Sequence, residues 1–137
     1  MAVVQQLIRS EADGTLSFGN HALAHKAKVD GYECGGDIYK VKTYATMTKL
    51  EKNGMFLYES VPGTSVNQFS ETEKGMQFSV EGAGDAQITL GLSDDTEYEV
   101  FVAGASVGTM KTGLGGKLSI SVELEAAGEV EVKVVEA

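Results

Sequence analysis

Residues Thr96–Glu136 read TEYEVFVAGASVGTMKTGLGGKLSISVELEAAGEVEVKVVE, and this stretch decides the fold. Apolar side chains occupy every second position of successive runs, and turns at Gly104, Gly113–Gly116 and Ala126–Gly128 separate these runs. A period of two residues is typical of a strand with one buried face. The stretch therefore predicts strands joined by tight turns, with six residues in the core: Leu118, Ile120, Val122, Val130, Val132 and Val134.

The same pattern extends backwards to residue 75, so residues 75–135 predict six strands at a spacing of roughly ten residues. No segment keeps the 3.6-residue period of a helix. We therefore predict an all-β protein of the antiparallel β-sandwich type. We expect an irregular N-terminal β subdomain, residues 1–70, packed on a six-stranded, Ig-like C-terminal subdomain, residues 71–137.

The first half is less regular. Ile38–Glu51 predicts one long strand, and a change of apolar phase within it indicates a β-bulge. Gly31–Asp37 contains three glycines and predicts a loop. Lys52–Gly54 is a strong hairpin signal, whereas the polar run Ser70–Gly75 is either a linker or a long turn.

The charge is unevenly distributed. The net charge is −9, and all of this excess lies in residues 69–137, which carry four Lys/Arg and thirteen Asp/Glu. An acidic chain of this kind argues against nucleic acid and anionic membranes as partners. A single cysteine excludes an internal disulfide, and no run is long enough to span a membrane. The N-terminal residues lack the features of a signal peptide, so we expect a cytoplasmic protein, with secretion by another route left open.

His21, His25 and Cys34 are the candidate metal ligands. On a helix the two histidines would share one face, but on a strand their Cα atoms would be about 13 Å apart. The local pattern favours strand or loop, so we predict no metal site and no cofactor. The same histidines are the only available bases for a nucleophilic Cys34 or serine, and no catalytic signature surrounds them.

Two further motifs superficially suggest ligand-binding sites, but their spacing does not support such sites. Gly113–Lys117 superficially suggests a phosphate-binding loop, but Lys111 stands where such a loop needs glycine, and we predict a hairpin turn. Asp94 and Asp95, with Glu97 and Glu99, could bind calcium, but the spacing of a calcium loop is absent.

Complementary charges suggest an interface. Lysines cluster in the first half at positions 26, 28, 40, 42, 49 and 52, and glutamates alternate in the strands of the second half. We predict a homo-oligomer whose basic face meets the acidic face of a neighbour, with these interface residues: Lys40, Lys42, Glu97, Glu99, Glu129 and Glu131.

Two resemblances add to this interpretation. Residues 107–109 (VGT) and 115–119 (GGKLS) resemble the small Ig-like modules at the ends of many bacterial proteins. Residues 14–19 (GTLSFG), 48–51 (TKLE) and 58–64 (YESVPGT) resemble a family of small clostridial β-proteins often labelled endosialidase. That label implies a sialic-acid-related glycosidase. Arg9 is the only arginine, so the arginine triad of sialidases cannot form within one chain, and we predict no catalytic residue.

The sequence therefore predicts a non-catalytic structural or interaction protein that self-associates. The alternatives are an endosialidase-like glycosidase or a carbohydrate-binding β-sandwich. The tyrosines that such a sandwich would use are Tyr32, Tyr39, Tyr44 and Tyr58.

Overall fold

The computed structural model describes residues 3–125 and 128–137. These residues form thirteen strands and no helix. The strands are β1 (Ile8–Ser10), β2 (Leu16–Phe18), β3 (Ala27–Cys34), β4 (Asp37–Thr43), β5 (Thr48–Lys52), β6 (Met55–Val61), β7 (Thr64–Thr72), β8 (Gly75–Gly82), β9 (Ala86–Gly91), β10 (Glu97–Val102), β11 (Ala105–Lys111), β12 (Lys117–Val122) and β13 (Val130–Glu136).

The strands form two antiparallel sheets that pack into a sandwich. The seven-stranded sheet has the order β1-β2-β7-β8-β13-β10-β11, and the six-stranded sheet has the order β12-β9-β6-β5-β4-β3. All pairings described within both sheets are antiparallel. The predicted all-β, antiparallel sandwich is confirmed.

Contacts between the sheets show which strands lie over which. Strand β1 contacts β3 at one side of the sandwich. Lys52 of β5 binds Glu71 of β7, and the ring of Tyr58 in β6 packs on that of Phe78 in β8. Counted from β1 and β3, the third and fourth strands of one sheet, β7 and β8, therefore lie over the third and fourth strands of the other, β5 and β6.

Aromatic rings fill the centre of the core. Phe18, Tyr58, Phe69 and Phe78 form one cluster, with ring centroids 5.2 Å to 6.5 Å apart and mostly edge-to-face geometry. Such pairs add about 0.5–1.5 kcal/mol each beyond the burial of their area. All six core residues predicted from the last strands are also buried, with at most 8% of their surface exposed.

A buried network of hydroxyl groups joins the sheets next to the rings. The Thr64 hydroxyl lies 2.7 Å from both the Tyr58 and the Ser60 hydroxyls. The Thr48 hydroxyl donates to the Thr64 carbonyl at 2.7 Å and lies 2.8 Å from the Thr43 hydroxyl. A buried hydroxyl without a partner costs about 1–3 kcal/mol, and no buried side-chain polar atom of the described residues lacks one.

The irregular half differs from its prediction in three places. Ile38–Glu51 is a hairpin of β4 and β5 with a turn at residues 44–47, so the change of phase marks a turn and not a bulge. Gly31 lies inside β3, at a bulge between Val29 and Tyr32, and not in a loop. Residues 73–74 form the tight turn of the β7–β8 hairpin, so the polar run is no linker.

The two predicted subdomains share both sheets. Residue 70 lies within β7, and each sheet takes strands from both sides of that position.

The six strands predicted for residues 75–135 are all present. Gly113–Gly116 crosses between the sheets and so is not a hairpin turn. In the predicted turn Ala126–Gly128, Ala126 and Ala127 lie outside the described residues.

Gly91 provides a test of this packing. A Cβ atom at Gly91 would lie 2.4 Å from the Phe56 carbonyl oxygen, whereas a Cβ at Gly84 would meet nothing within 4 Å. Neither glycine has a positive φ. We expect Gly91→Ala to lower the free energy of unfolding by about 1–3 kcal/mol, because the β6–β9 pair must separate. Gly84→Ala, the matched control, should change it by less than about 0.5 kcal/mol in urea unfolding. Equal effects of the two substitutions would contradict this packing.

Candidate functional site

The outer face of the six-stranded sheet carries a row of lysines. Lys28 of β3 pairs with Lys42 of β4, and Lys42 pairs with Lys49 of β5. Strand alternation turns all three side chains away from the core, because Val41, Thr48 and Leu50 are buried. We call Lys28, Lys42 and Lys49 the lysine row.

Like charges at directly opposed positions are destabilising in an antiparallel sheet. Glu59 lies opposite Lys49, and the Lys49 ammonium is 3.6 Å from Glu51. No salt bridge joins Lys28, Lys40 or Lys42 to a carboxylate among residues 3–125 and 128–137. Lys28 and Lys42, the two members of the row that lack such a carboxylate, favour an anionic partner on this face.

The predicted acidic residues lie on the opposite outer face, that of the seven-stranded sheet. Glu97 and Glu99 alternate with buried Tyr98 and Val100 in β10, and Glu131 lies between buried Val130 and Val132 in β13. Exposed Glu129 directly precedes β13. This acidic face also has lysines: Lys111 pairs with Glu97, and Lys133 follows Glu131 on the same side of β13.

The six predicted interface residues thus fall into two groups. Lys40 and Lys42 lie on one outer face, and three of the glutamates lie on the other, with Glu129 beside them. Lys28 and Lys49, which complete the lysine row, were in the sequence cluster but not among the predicted interface residues. Their role depends on strand register, which a run of lysines in the sequence does not reveal.

Lys52 connects the two sheets at the end of the sandwich. Its ammonium lies 2.9 Å from the Glu71 carboxylate of β7 and 3.6 Å from that of Asp37 in β4. The hydrogen bond to Glu71 raises the pKa of Lys52. No sequence pattern identified this ion pair, since it depends on how the sheets stack.

A cleft of about 310 Å³ opens beside Lys52. Its walls include Tyr39, Asp37 and Asp13, together with Phe69 of the aromatic cluster. Partial burial raises the pKa of Tyr39. Hydrogen bonds from the Thr15 hydroxyl and amide lower the pKa of Asp13, which is opposite to what a glycosidase proton donor needs. The cleft is therefore suited to binding polar ligands more than to acid catalysis.

His21 and Ser65 form a close pair that the sequence did not predict. The Ser65 hydroxyl accepts the backbone N–H of His21 at 3.2 Å and lies 2.7 Å from its Nδ1 atom. A serine and a histidine at this distance resemble a nucleophile and its base. Ser65, however, is fully buried, so no substrate can reach it. The pair instead ties the β2–β3 connection to β7.

The candidate metal ligands occupy different places. His21 lies beside Asn20, whose backbone N–H donates to the Thr43 hydroxyl at the Ala27 end of the β3–β4 hairpin. Cys34 ends β3, roughly 20 Å away along the strand. The structure therefore does not bring His21 and Cys34 together, and exposed His25 lies in the β2–β3 connection.

No group of three or more His, Cys, Asp or Glu within the described residues is arranged to hold a metal ion. At the suggested calcium site, the Asp95 carboxylate lies 3.3 Å from the Lys111 ammonium. Among the tyrosines suggested for carbohydrate binding, Tyr58 is fully buried and cannot contact a ligand. The Tyr32 hydroxyl lies 2.8 Å from that of Ser10, and Tyr39 remains available in the cleft.

Comparison with known proteins identifies no relative: no family model, no curated protein and no solved structure matches this chain. The resemblances to Ig-like modules and to the clostridial family therefore stay predictions. None of the described residues lies in a helix long and apolar enough to cross a membrane.

His21 should make stability depend on pH. Burial lowers its pKa below the ordinary value of 6.5, and the smaller effect of Glu81 opposes this. Below that value the unfolded chain binds a proton that the folded protein does not, so stability should fall as pH decreases. We expect the melting temperature to decrease as the pH is lowered from about 8 to about 5. His21→Asn should make this decrease smaller.

His25→Asn is the matched control, because His25 is exposed in the same connection. This variant should keep the pH dependence of the unsubstituted protein. Melting curves that fall equally for His21→Asn and His25→Asn would show that His21 is not the group responsible.

Proposed function

We propose that this protein is a non-catalytic interaction protein that self-associates, with the outer face of the six-stranded sheet of one copy on the acidic face of the next. The observation that supports this most is the lysine row, in which Lys42 lies between two other lysines. A second copy supplies carboxylates of the opposite charge, at Glu97, Glu99 and Glu131.

The size of the faces indicates the strength of the contact. Six strands about 4.8 Å apart and about 20 Å long cover roughly 600 Å². A standard interface buries about 800 Å² on each partner, so this contact belongs to the weak and transient class. Each exposed ion pair contributes about 0.2–1 kcal/mol and is screened by salt. Association should therefore be reversible and strongest at low ionic strength.

The two faces differ from each other, so the contact is heterologous. A heterologous contact leaves one unused face of each kind at the ends of every assembly. Growth stops only if the rotation between neighbours closes a ring. Assemblies of several sizes, in exchange with one another, are expected at low salt.

Charge reversal at Lys42 tests the face contact. We expect Lys42→Glu to weaken association about tenfold in sedimentation velocity at about 0.02 M salt, where screening is weak. Lys74→Glu changes the net charge equally, but Lys74 lies exposed in the β7–β8 turn, so it serves as the control. If both substitutions reduce association to the same extent, net charge and not the lysine row is responsible.

Mixing two variants sharpens this test. Lys42→Glu impairs one face, and Glu131→Lys impairs the other. Each variant alone should lose the association that low salt induces, whereas an equimolar mixture should regain it by forming mixed contacts, because each copy still has one intact face. A mixture that sediments as the sum of its components would rule out the face contact.

A second candidate function is carbohydrate binding in the Lys52 cleft. The cleft combines the half-buried ring of Tyr39 with Asp37, Lys52 and the hydroxyl of Thr15. Aromatic surface with a few converging polar groups is typical of small-molecule sites. This composition favours a neutral, hydroxyl-rich ligand.

A glycan array can test the cleft. Glycans bound by the unsubstituted protein should be lost with Tyr39→Ala and retained with Tyr44→Ala, since Tyr44 is also half-buried but lies outside the cleft. No bound glycan, or equal loss in both variants, would exclude this candidate.

A further inference from the structure

Within residues 3–125 and 128–137, the two sheets end in unpaired edges on the same side of the sandwich. The edge strands there are β11 and β12, which the loop of residues 112–116 joins. An unpaired edge exposes a row of backbone N–H and C=O groups that can pair with another strand. The described edges on the opposite side are protected: β1 has three residues, and β3 carries a bulge and three charged positions, Lys28, Asp30 and Glu33.

Strand β12 has none of these protections. It pairs with β9 over six residues, from Lys117 to Val122, without a shift of register. It contains no proline, and Lys117 at its start is its only charged residue. Strand β11 has a bulge between Ser106 and Gly108, and beyond it the register with β10 is regular through Lys111. Residues 108–111 of β11 and the whole of β12 therefore present regular edges that can accept a partner.

Strand β11 overhangs the sandwich. Counted from the stacked strands β1 and β3, the sixth strand of one sheet, β10, lies over β12, and the seventh, β11, has none of the described strands beneath it. The burial pattern agrees, because every residue of β11 except Met110 is exposed. An empty strand position thus lies beside β12 and beneath β11.

A second copy can fill this position with its own β11. We propose that two copies form a lap joint in which β11 of each copy pairs with β12 of the other. A half-turn about an axis parallel to the strands relates the copies, so both contacts form at once and the interface is closed. Within one copy, the loop after β11 reverses the chain, so β12 runs opposite to β11. The rotation leaves the direction of every strand unchanged, so β11 of one copy also runs antiparallel to β12 of the other. Each resulting sheet combines the seven strands of one copy with the six of the other.

Side chains on the overhang are compatible with this contact. Met110 pairs with buried Tyr98, Gly108 with buried Val100, and Ala105 with Val102, so these positions face the other copy's β11 across the axis. Two of them are small, which allows close approach of the two strands. Leu114, in the loop beside the axis, has 96% of its surface exposed, and a partner loop would cover it.

This lap joint is separate from the face contact of the proposed function, and the two respond differently to salt. Backbone pairing and apolar contact persist at about 0.5 M salt, where the Debye length is only about 4 Å and surface ion pairs are screened. Sedimentation velocity at that salt concentration should show a dimer. A monomer at high salt would overturn the lap joint and leave the face contact to be judged at low salt.

Two lysine substitutions on β11 identify the surface. Ala105→Lys places a charge on the inner side of the overhang, opposite the same residue of the other copy, and should weaken the high-salt dimer at least about tenfold. Thr109→Lys, on the same strand but on the outer side opposite Glu99, should leave the dimer intact. Both positions are exposed, so both variants should keep the circular dichroism spectrum and melting temperature of the unsubstituted protein. If the two variants dissociate equally, or neither does, the proposal is wrong.

Discussion

The hydrogen bonds around Thr64 hold the two sheets in a fixed relation. Tyr58 belongs to β6, Thr64 opens β7, and the chain passes from one sheet to the other between them. The Tyr58 ring packs in the aromatic cluster while its hydroxyl meets that of Thr64 in a site with no water-exposed surface. Burial raises the pKa of Tyr58, so the hydroxyl stays protonated as a donor or acceptor. Thr48 and Thr43 extend the same network to the β4–β5 hairpin. The stacking of strands, the Lys52 bridge and the overhang of β11 all depend on this fixed relation.

The sequence predicted the second half of the fold well and the first half poorly, for a physical reason. Each of β8, β9, β12 and β13 buries one face, so apolar residues alternate along it. Strand β3 is an edge strand with little burial on either face, and its Gly31 bulge reads as a loop signal. The β4–β5 turn at residues 44–47 contains no glycine or proline, so its sequence reads as a continuous strand.

The candidate surfaces were only partly predictable. Alternation placed Lys40 and Lys42 on one face of β4, and the glutamates on one face of β10 and β13. The lysine row could not be predicted, because it depends on the register of two hairpins. The contact of His21 with Ser65 joins residues 44 positions apart. Contacts of this kind depend on how the chain crosses between sheets, which local patterning does not encode.

The proposed contacts have different symmetries, and this determines what they build together. The lap joint is closed and makes pairs, whereas the face contact is open and links one copy to the next. A pair would present two lysine rows and two acidic faces, with one of each on either side of a double-layered slab. Weak contacts that repeat between such slabs gain strength from multivalency. Salt would then control how far the pairs associate without dissociating them.

The position of β13 in its sheet affects how the chain can fold during synthesis on the ribosome. It lies between β8 and β10 in the middle of its sheet, although it follows both of them in the chain. Until residues 130–136 have emerged, β8 and β10 each lack a neighbour on one side. A nascent chain therefore exposes one edge each of β8 and β10, two strands whose residues Phe78, Val80 and Val100 are buried in the complete fold. Binding of the nascent chain by chaperones should be needed most in this interval, which ends when β13 inserts and closes the sheet.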